Sequence, residues 1–305
     1  MAAYRSGFGD LLEPGFREIF DDKFSEVPQI KNSIFHVNSS SKQDERDSAV
    51  TGFGYFVETS EGAPIDYEDP IQMYDKVYTH AKWTKGFKIS RELWEDDQYN
   101  IMNKKPAALG KAARRTQERQ GAQLFNRAFN SSYLGGDAQE LISTVHPRSD
   151  GGTAQSNASS TGITLTEANL ETAMLNLRTQ LDDKGMRIAA KADTLLVPIE
   201  LAKEAHILID SPARPNTADN DVNYYKNALK IVDWDYMDRN ATHWFLLDSS
   251  MHEINWFDRV KPEFKQDDSF DTDMALFKSR MRFSNGWSDW RGVWGSQGDG
   301  AAYSG

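Results

Sequence analysis

The sequence contains no cysteine, so a disulfide, a thiolate nucleophile and a cysteine metal site are all excluded. No stretch approaches the roughly 18 consecutive apolar residues of a transmembrane helix, and we predict none. The first residues, MAAYRSGFGDLLEPGF, lack an apolar core, so we expect no signal peptide there. Acidic residues outnumber basic ones, and the net charge of −11 argues against a surface that binds nucleic acid on all sides.

Catalytic and metal-binding signatures are also missing. The six histidines include no HxH, HxxxH or HExxH pattern, and the phosphate-binding and GxSxG patterns are absent. The run DSSMHE, residues 248–253, brings Asp, Ser and His together, but triad residues come from separate elements. The acidic run DSFDTD, residues 268–273, lacks the EF-hand pattern, and solvated loop acids are the favoured interpretation. We therefore predict a protein that is not an enzyme and that holds no metal or cofactor.

Aromatic residues are abundant in a chain that is otherwise polar. They make up 11% of the 305 residues, whereas all hydrophobic residues together reach 39% and the mean hydropathy is −0.66. The length suits one large domain or two modest ones. In such a chain aromatic side chains often lie at interfaces between molecules.

Residues 1–50 have the pattern of an N-terminal arm. The segment LLEPGFREIFDDKFSE predicts a short helix with Phe16, Ile19, Phe20 and Phe24 at helical spacing. The polar stretch NSSSKQDERDS that follows predicts irregular structure. An arm with a few aromatics and no core of its own must lie on something, either its own body or a neighbouring subunit.

Residues 51–90 predict a long two-stranded loop. GFGYFVE runs outward, TSEGAPIDYEDP forms the tip, and MYDKVYTHAKWTKGFKIS returns with alternating faces. Val77 and Trp83 are expected on the apolar face, and Tyr78 and His80 on the polar one. The tip region carries five acids and no base: Glu58, Glu61, Asp66, Glu68 and Asp69. A lone hairpin is marginally stable in water, so we expect this loop to contact another chain.

Residues 104–130 give the strongest helix prediction in the chain. Leu109, Ala113 and Leu124 fall on one face, and four basic residues fall on the opposite face: Lys104, Lys111, Arg115 and Arg119. Such a basic face is either a solvated surface or the contact for an acidic partner. That partner would be nucleic acid, the acidic tip of a neighbour, or a scaffolding chain.

The remaining sequence predicts a mixed α/β body. A helix is capped by Thr166 and ends at Gly185, and ADTLLVPIELAKEAHILIDS reads as a strand, a turn and a helix. KIVDWDYM and HWFLLDSS predict buried strands, and EINWFDRVKPEFKQDD and MALFKSRMRFSNGW predict the last two. The fold class is therefore α+β.

The C-terminal stretch FKSRMRFSNGWSDWRGVWGSQG contains Trp287, Trp290 and Trp294 among four basic residues. We favour packing anchors at the end of the subunit together with intersubunit contacts. The alternative is a stacking platform for bases or sugars, since stacking on tryptophan contributes roughly 1–3 kcal/mol per base. A carbohydrate-binding module, or another aromatic-rich binding protein, is therefore the competing interpretation.

The order of these parts resembles the Hong Kong 97-type major capsid proteins of tailed phages. YTHAKWTKGFKISRELWEDD followed by LGKAARRTQERQGAQLFNRAFN is similar to that family's extension loop and spine helix, and FKSRMRFSNGWSDWRGVWG to its C-terminal strands. The resemblance implies an N-terminal arm (1–50), an extension loop (51–90), a peripheral domain (91–165 and 271–305) with the spine helix 104–130, and an axial domain (166–270).

The resemblance also implies a function. A member of this family assembles with itself into hexamers and pentamers of an icosahedral head that encloses double-stranded DNA without reading its sequence. The implied intersubunit contacts are Glu61, Asp66, Glu68, Asp69, Trp83 and the three C-terminal tryptophans, and the implied interior basic face is Lys104, Lys111, Arg115 and Arg119. Because the arm is short, a separate scaffolding protein is expected, along with a portal protein and a decoration protein. The protein is expected in the virion after assembly in the host cytoplasm.

Overall fold

The structure is a computed structural model that describes residues 6–70, 72–90, 92–93, 101–214, 221–238, 241–269 and 274–303. The described residues form four α-helices, ten strands and one 3₁₀ turn at Ile30–Ser33, so the mixed α+β class is confirmed. The helices are α1 (Ser6–Glu26), α2 (Ile101–Asn126), α3 (Glu167–Thr179) and α4 (Ile199–Asp210). The strands are β1 (His36–Ser39), β2 (Asp44–Val50), β3 (Gln72–Thr79), β4 (Ala81–Ser90), β5 (Thr194–Val197), β6 (Lys230–Asp233), β7 (Trp244–Leu247), β8 (Ile254–Ser269), β9 (Met274–Trp287) and β10 (Val293–Ser296).

The first sheet has the order β1-β8-β9-β4 and is covered on one face by α1 and α2. Alternating side chains of β8 and β9 point to the helices, where Phe264 and Phe277 are each 2% exposed. The aromatic residues of α1 lie on this layer, with the rings of Phe16 and Phe277 5.3 Å apart and those of Phe20 and Phe264 5.5 Å apart. The predicted arm helix is thus confirmed, and it packs on its own chain.

The second sheet has the order β10-β7-β5-β6, and its two middle strands are buried throughout. Helices α3 and α4 contribute Leu170, Leu177 and Ile209 to the core on this sheet. The Thr166 hydroxyl caps α3 by accepting a hydrogen bond from the Asn169 N–H, as predicted. The predicted end at Gly185 is wrong, because α3 ends at Thr179. Beyond it the Gln180 side chain accepts a bond from the Gly292 N–H, so a tertiary contact stops the helix early.

A central core joins the two sheets and the C-terminal half of α2. Phe35, Phe125 and Trp234 meet there with ring centroids 6.3–6.5 Å apart and planes 60–75° apart. Edge-to-face aromatic pairs of this kind are favourable beyond the area that they bury. This core fixes α2 between the sheets and so orients the exposed face of that helix.

The extension loop differs from its prediction in three respects. The outward strand is β2, which pairs antiparallel with β3 and lies in the stretch expected to be irregular. The segment GFGYFVE forms no strand, and residues 51–70 contain only a turn at 61–62. The return is split at His80 into β3 and β4, which belong to different sheets.

The split at His80 also reverses the expected faces of β3. Tyr78 and His80 are 2% and 6% exposed, whereas Val77 is 48% exposed. On β4 the predicted faces hold, with Ile89 buried and Lys82 and Lys88 exposed. A strand that changes its partner sheet changes which side chains face a core, and alternation alone does not show this.

The two sheets cut across the implied domain boundaries. Strand β8, from the implied axial segment, pairs with β9 of the implied peripheral segment, and β10, also from the peripheral segment, pairs with β7 of the axial one. The division into domains stays a prediction. The sequence SRELWEDDQYNIM predicts a short helix anchored by Trp94, and RPNTADNDVNYY predicts a loop; Trp94 and residues 215–220 of that loop lie outside the described residues.

Candidate functional site

The acidic loop, residues 58–69, is the most exposed part of the described chain. All five of its acids are exposed, and the whole stretch 51–70 includes large apolar side chains in water, among them Tyr55, Phe56 and Tyr67 at 75%, 104% and 87% exposure. One anchor holds the loop to its own body. Glu68 pairs with Lys184 and accepts a hydrogen bond from the Gly54 N–H at 2.7 Å, and the Lys184 ammonium holds the pKa of Glu68 below its usual range. Apolar groups displayed beside acids indicate a surface made for a partner.

A buried hydrogen-bonded chain fixes the base of the extension loop. The Ser40 hydroxyl donates to the Glu45 carboxylate at 2.7 Å, and His80 lies between the hydroxyls of Ser40 (3.1 Å) and Ser284 (2.9 Å). Because the Ser40 hydroxyl hydrogen is used, His80 Nε2 donates to Ser40, and Nδ1 accepts from Ser284. Burial lowers the pKa of His80, which keeps the ring neutral. The loop therefore starts from a rigid corner that ties β2 to β9.

Trp83 lies at the edge of the first sheet on β4. It is half-buried, and its ring stacks on Phe283 with centroids 5.8 Å apart. Its indole N–H is buried without a hydrogen-bond partner among the described residues. The intersubunit contact expected for Trp83 stays a prediction.

The three C-terminal tryptophans are core residues. Trp287, Trp290 and Trp294 are 8%, 4% and 1% exposed. Trp290 stacks on His146 at 4.2 Å, and Trp294 packs against Trp244 at 4.9 Å. They are therefore packing anchors and form no open stacking platform, which removes the observation behind the sugar-binding alternative. Their expected contact with a neighbouring subunit stays a prediction. Little of their surface is exposed to make such a contact.

Buried charges hold this C-terminal segment in place. Arg291 pairs with Asp183 and Asp289 at 3.0 Å each, and the His146 ring lies 2.7 Å from Asp137 and 3.1 Å from Asn157. Of the four basic residues in this segment, Arg291 is thus used within the chain. Sequence reasoning did not find His146 and Asp137, because a nine-residue separation across a loop gives no periodic signal.

The basic face of α2 lies where the helical spacing predicted it. Lys104, Arg115 and Arg119 are exposed, and Lys111 is half-buried 3.5 Å from the Glu26 carboxylate of α1. Arg114 instead points inward, where it donates to the Phe24 carbonyl at 3.1 Å and covers the Phe24 ring. Three cations of this face are therefore free to meet an anionic partner, a role that stays a prediction.

A second basic surface lies on the opposite side of the first sheet and was not predicted. We call it the basic cleft. It is a hollow of about 200 Å³ lined by one acid, Glu263, one threonine, Thr84, and four cations: Lys82, Lys265, Lys278 and Arg280. The cations come from three strands, of which β4 is distant in sequence from β8 and β9, so no local run of charge indicates the cleft.

The DSSMHE segment forms a turn whose serine hydroxyls are hydrogen-bonded to carboxylates. The Ser249 hydroxyl donates to Asp193, and the Ser250 hydroxyl donates to Asp248 at 2.6 Å. The His252 ring instead lies against His36, with ring centroids 4.7 Å apart. No hydrogen bond joins a serine to His252 among the described residues, so the arrangement does not activate a nucleophile.

The described part of the chain contains neither a metal cluster nor a membrane-spanning helix. There, no group of three or more His, Asp or Glu side chains is placed to hold a metal ion. None of the helices found there is both long enough and apolar enough to cross a bilayer.

The chain is similar to known phage capsid proteins in sequence family and in fold. The model of a phage capsid protein family matches residues 74–296. Similar solved structures include the procapsid of bacteriophage JBD30, with 15% identity over 96% of this chain and 76% of that chain and a TM-score of 0.53. The JBD30 capsid decorated with minor capsid protein trimers has 12% identity over 70% of this chain and 92% of that chain, with a TM-score of 0.53. The capsid of a native GTA particle has 12% identity, 88% and 89% coverage and a TM-score of 0.57. No curated protein matches the sequence.

Proposed function

The chain belongs to the phage capsid protein family whose model matches residues 74–296, and from that membership we propose that it is the subunit of hexamers and pentamers that close into an icosahedral head around double-stranded DNA. The family match is the observation that carries the proposal. The fold, shared with phage capsids, supports it. Its family shows that the chain is a phage capsid structural protein. The proposal concerns how the chain assembles and what the assembly encloses.

The extension loop is the proposed contact between subunits. Glu61, Asp66, Glu68 and Asp69 are exposed at the end of a loop that has apolar side chains in water and no core of its own. Trp83, half-buried at the sheet edge, is the second proposed contact. Heterologous contacts of this kind close into rings when the rotation between subunits allows it.

The proposed role is non-enzymatic. The groups of the DSSMHE run that sequence reasoning considered as catalytic are held in structural hydrogen bonds, as Ser250 is by Asp248. Burial lowers the pKa of His252 to about 4, which leaves the ring neutral at pH 7. The family and the fold point to the same structural role.

The proposed partners are those of a head precursor. Lys104, Lys111, Arg115 and Arg119 form the proposed interior face, where phosphates are bound without sequence reading. A separate scaffolding protein, a portal protein and a decoration protein complete the proposed set. The decorated JBD30 capsid is a solved structure of this fold with minor capsid protein trimers bound. The protein would reside in the virion after assembly in the host cytoplasm.

Sedimentation velocity on purified protein, with negative-stain microscopy of the fast fraction, tests this function. We expect rings, tubes or closed shells in that fraction. A chain that stays monomeric across salt concentrations, with crowding agent and with the scaffolding protein supplied, would contradict the proposal.

A further inference from the structure

The basic cleft is built in a way that an isolated subunit does not explain. Lys278 on β9 lies directly opposite Lys265 on β8, and Arg282 lies directly opposite Lys82 on β4. Like charges directly opposite each other across strands are destabilising. Four cations and one acid line the hollow, so its own residues leave it with an excess of positive charge.

Three of the four cations of the cleft form no ion pair within the described part of the chain. Lys265 lies 3.8 Å from Glu263, but Lys82, Lys278 and Arg280 form no ion pair with any residue that the structure describes. The Nε atom of Arg280 is buried and has no hydrogen-bond partner there. A buried donor without a partner costs free energy, and an anion placed in the cleft would satisfy it.

The acidic loop has the complementary chemistry. Residues 58–69 contain five acids and no base, next to exposed aromatic and aliphatic side chains. Arginine and lysine contact both carboxylates and aromatic faces, so a segment of this composition suits the cleft.

The loop and the cleft of one chain point in opposite directions. Ala81 of β4 pairs with Phe283, whereas Lys76 of β3 lies over the Trp287 ring, four residues further along β9 and away from the cleft. Strand β3 then continues to Gln72, and its eight residues span roughly 25 Å before the loop begins. The loop ends against Lys184, which is not among the residues that line its own cleft.

We propose that the basic cleft of one subunit receives the acidic loop of a second copy of this chain. The proposal rests on the proposed function and names the surface to which the extension loop binds. The loop precedes β3 and the cleft lies on β4, on opposite sides of the break at His80, so the contact is head-to-tail, the type that closes into rings. Before assembly, Glu68 stays on Lys184, and because this pair is exposed its exchange for the neighbour's cations costs little.

A charge-swap experiment tests the contact. The loop variant carries Glu61→Lys, Asp66→Lys and Asp69→Lys, which leaves the Glu68–Lys184 pair intact. The cleft variant carries Lys82→Glu, Lys265→Glu and Lys278→Glu. The matched control carries Lys191→Glu, Lys203→Glu and Lys226→Glu, three exposed lysines on other elements with the same change in charge. Urea unfolding of the unassembled subunits shows that each variant is folded.

The expected result is a loss and a recovery of assembly. Each triple variant should lower the yield of shells by about tenfold or more, because like-charge contacts cost several kcal/mol. The chain that carries both sets should assemble again, and the control should assemble like the wild type. A loop variant that fails while the cleft variant assembles normally would overturn the cleft as receptor and leave the proposed function standing. Failure of the combined chain to recover would also overturn it, whereas wild-type protein that forms no shells would count against the proposed function itself.

Discussion

Two buried histidines make the stability of the subunit depend on pH. His243 is 9% exposed and lies between the Phe129 and Phe245 rings, and His252 is 3% exposed beside His36. Burial lowers the pKa of each ring to about 4, against the nearby carboxylates of Asp299 for His243 and of Asp193 and Asp248 for His252. Both rings are therefore neutral in the folded protein at pH 7.

We expect the unassembled subunit to lose stability as the pH falls from about 6.5 to about 4. In that window the unfolded chain binds a proton on each histidine while the folded chain does not, so the free energy of unfolding decreases with falling pH. The pKa difference corresponds to at most about 3 kcal/mol for each residue. Urea denaturation at a series of pH values measures the slope, and His243→Gln should flatten it.

His206→Gln is the control for this prediction. His206 lies on the surface of α4 and pairs with Asp210, its side chain being 55% exposed. Its replacement should leave the slope almost unchanged, since an exposed pair contributes little. If His243→Gln and the wild type lose stability in parallel, burial of this ring does not set the acid response.

At the level of elements, the sequence predicted correctly those elements whose pattern is local, and it did not predict those that depend on a distant partner. Strands β8 and β9 were predicted almost to their ends, because long alternating runs face a helical layer on one side. Strand β2 was missed, because DERDSAV is polar on both faces and forms a strand only by pairing with β3. The early end of α3 was missed for a similar reason, since the Gln180 side chain is engaged by the distant Gly292.

The packing of α1 on α2 depends on Gly110. A methyl group at this position would collide with the Phe20 carbonyl of α1 and lie 3.1 Å from the Phe24 nitrogen. We expect Gly110→Ala to destabilise the subunit by about 1–3 kcal/mol and to expose α1 to hydrogen exchange. The cost should exceed the gain in helix propensity, which is at most about 1 kcal/mol.

Gly15→Ala is the matched control, because it is the same substitution on the partner helix. A methyl group there meets nothing within 4 Å. The variant should be as stable as the wild type or more stable by up to about 1 kcal/mol. Equal stability of Gly110→Ala and Gly15→Ala in urea would show that the two helices do not need their close approach.

At the scale of the molecule, the candidate site was only partly visible in the sequence. The acidic loop and the α2 face were found because each lies in one continuous segment. The basic cleft was missed because Lys82, Lys265 and Lys278 meet only when three strands pair. The tryptophans drew attention by composition, but their burial depends on His146 and Trp244, which lie far away in sequence.

The first sheet separates two basic surfaces that would have different tasks in a shell. Helices α1 and α2 cover one face, where Phe264 and Phe277 are buried, and the basic cleft occupies the other. In a closed shell one of these sides faces inward. If the α2 face contacts DNA, the cleft and the loop that it receives lie on the outer side of the shell. Substitutions on the α2 face should then affect DNA packaging, and substitutions in the cleft should affect assembly.

Arg115→Glu with Arg119→Glu tests this separation. The change leaves two lysines and two glutamates on the α2 face, so its net charge falls from +4 to zero. Since each cation neutralises roughly one phosphate, nucleic acid per particle should fall by at least about half, as measured by ultraviolet absorbance of purified particles. Shell yield should stay at the wild-type level, because neither arginine lies near the cleft or the loop.

Lys203→Glu with Lys226→Glu carries the same charge change on other elements, and particles of this control variant should retain their nucleic acid. Normal nucleic-acid content in the arginine variant would show that the α2 face does not hold DNA. Loss of shells would instead place this face among the subunit contacts.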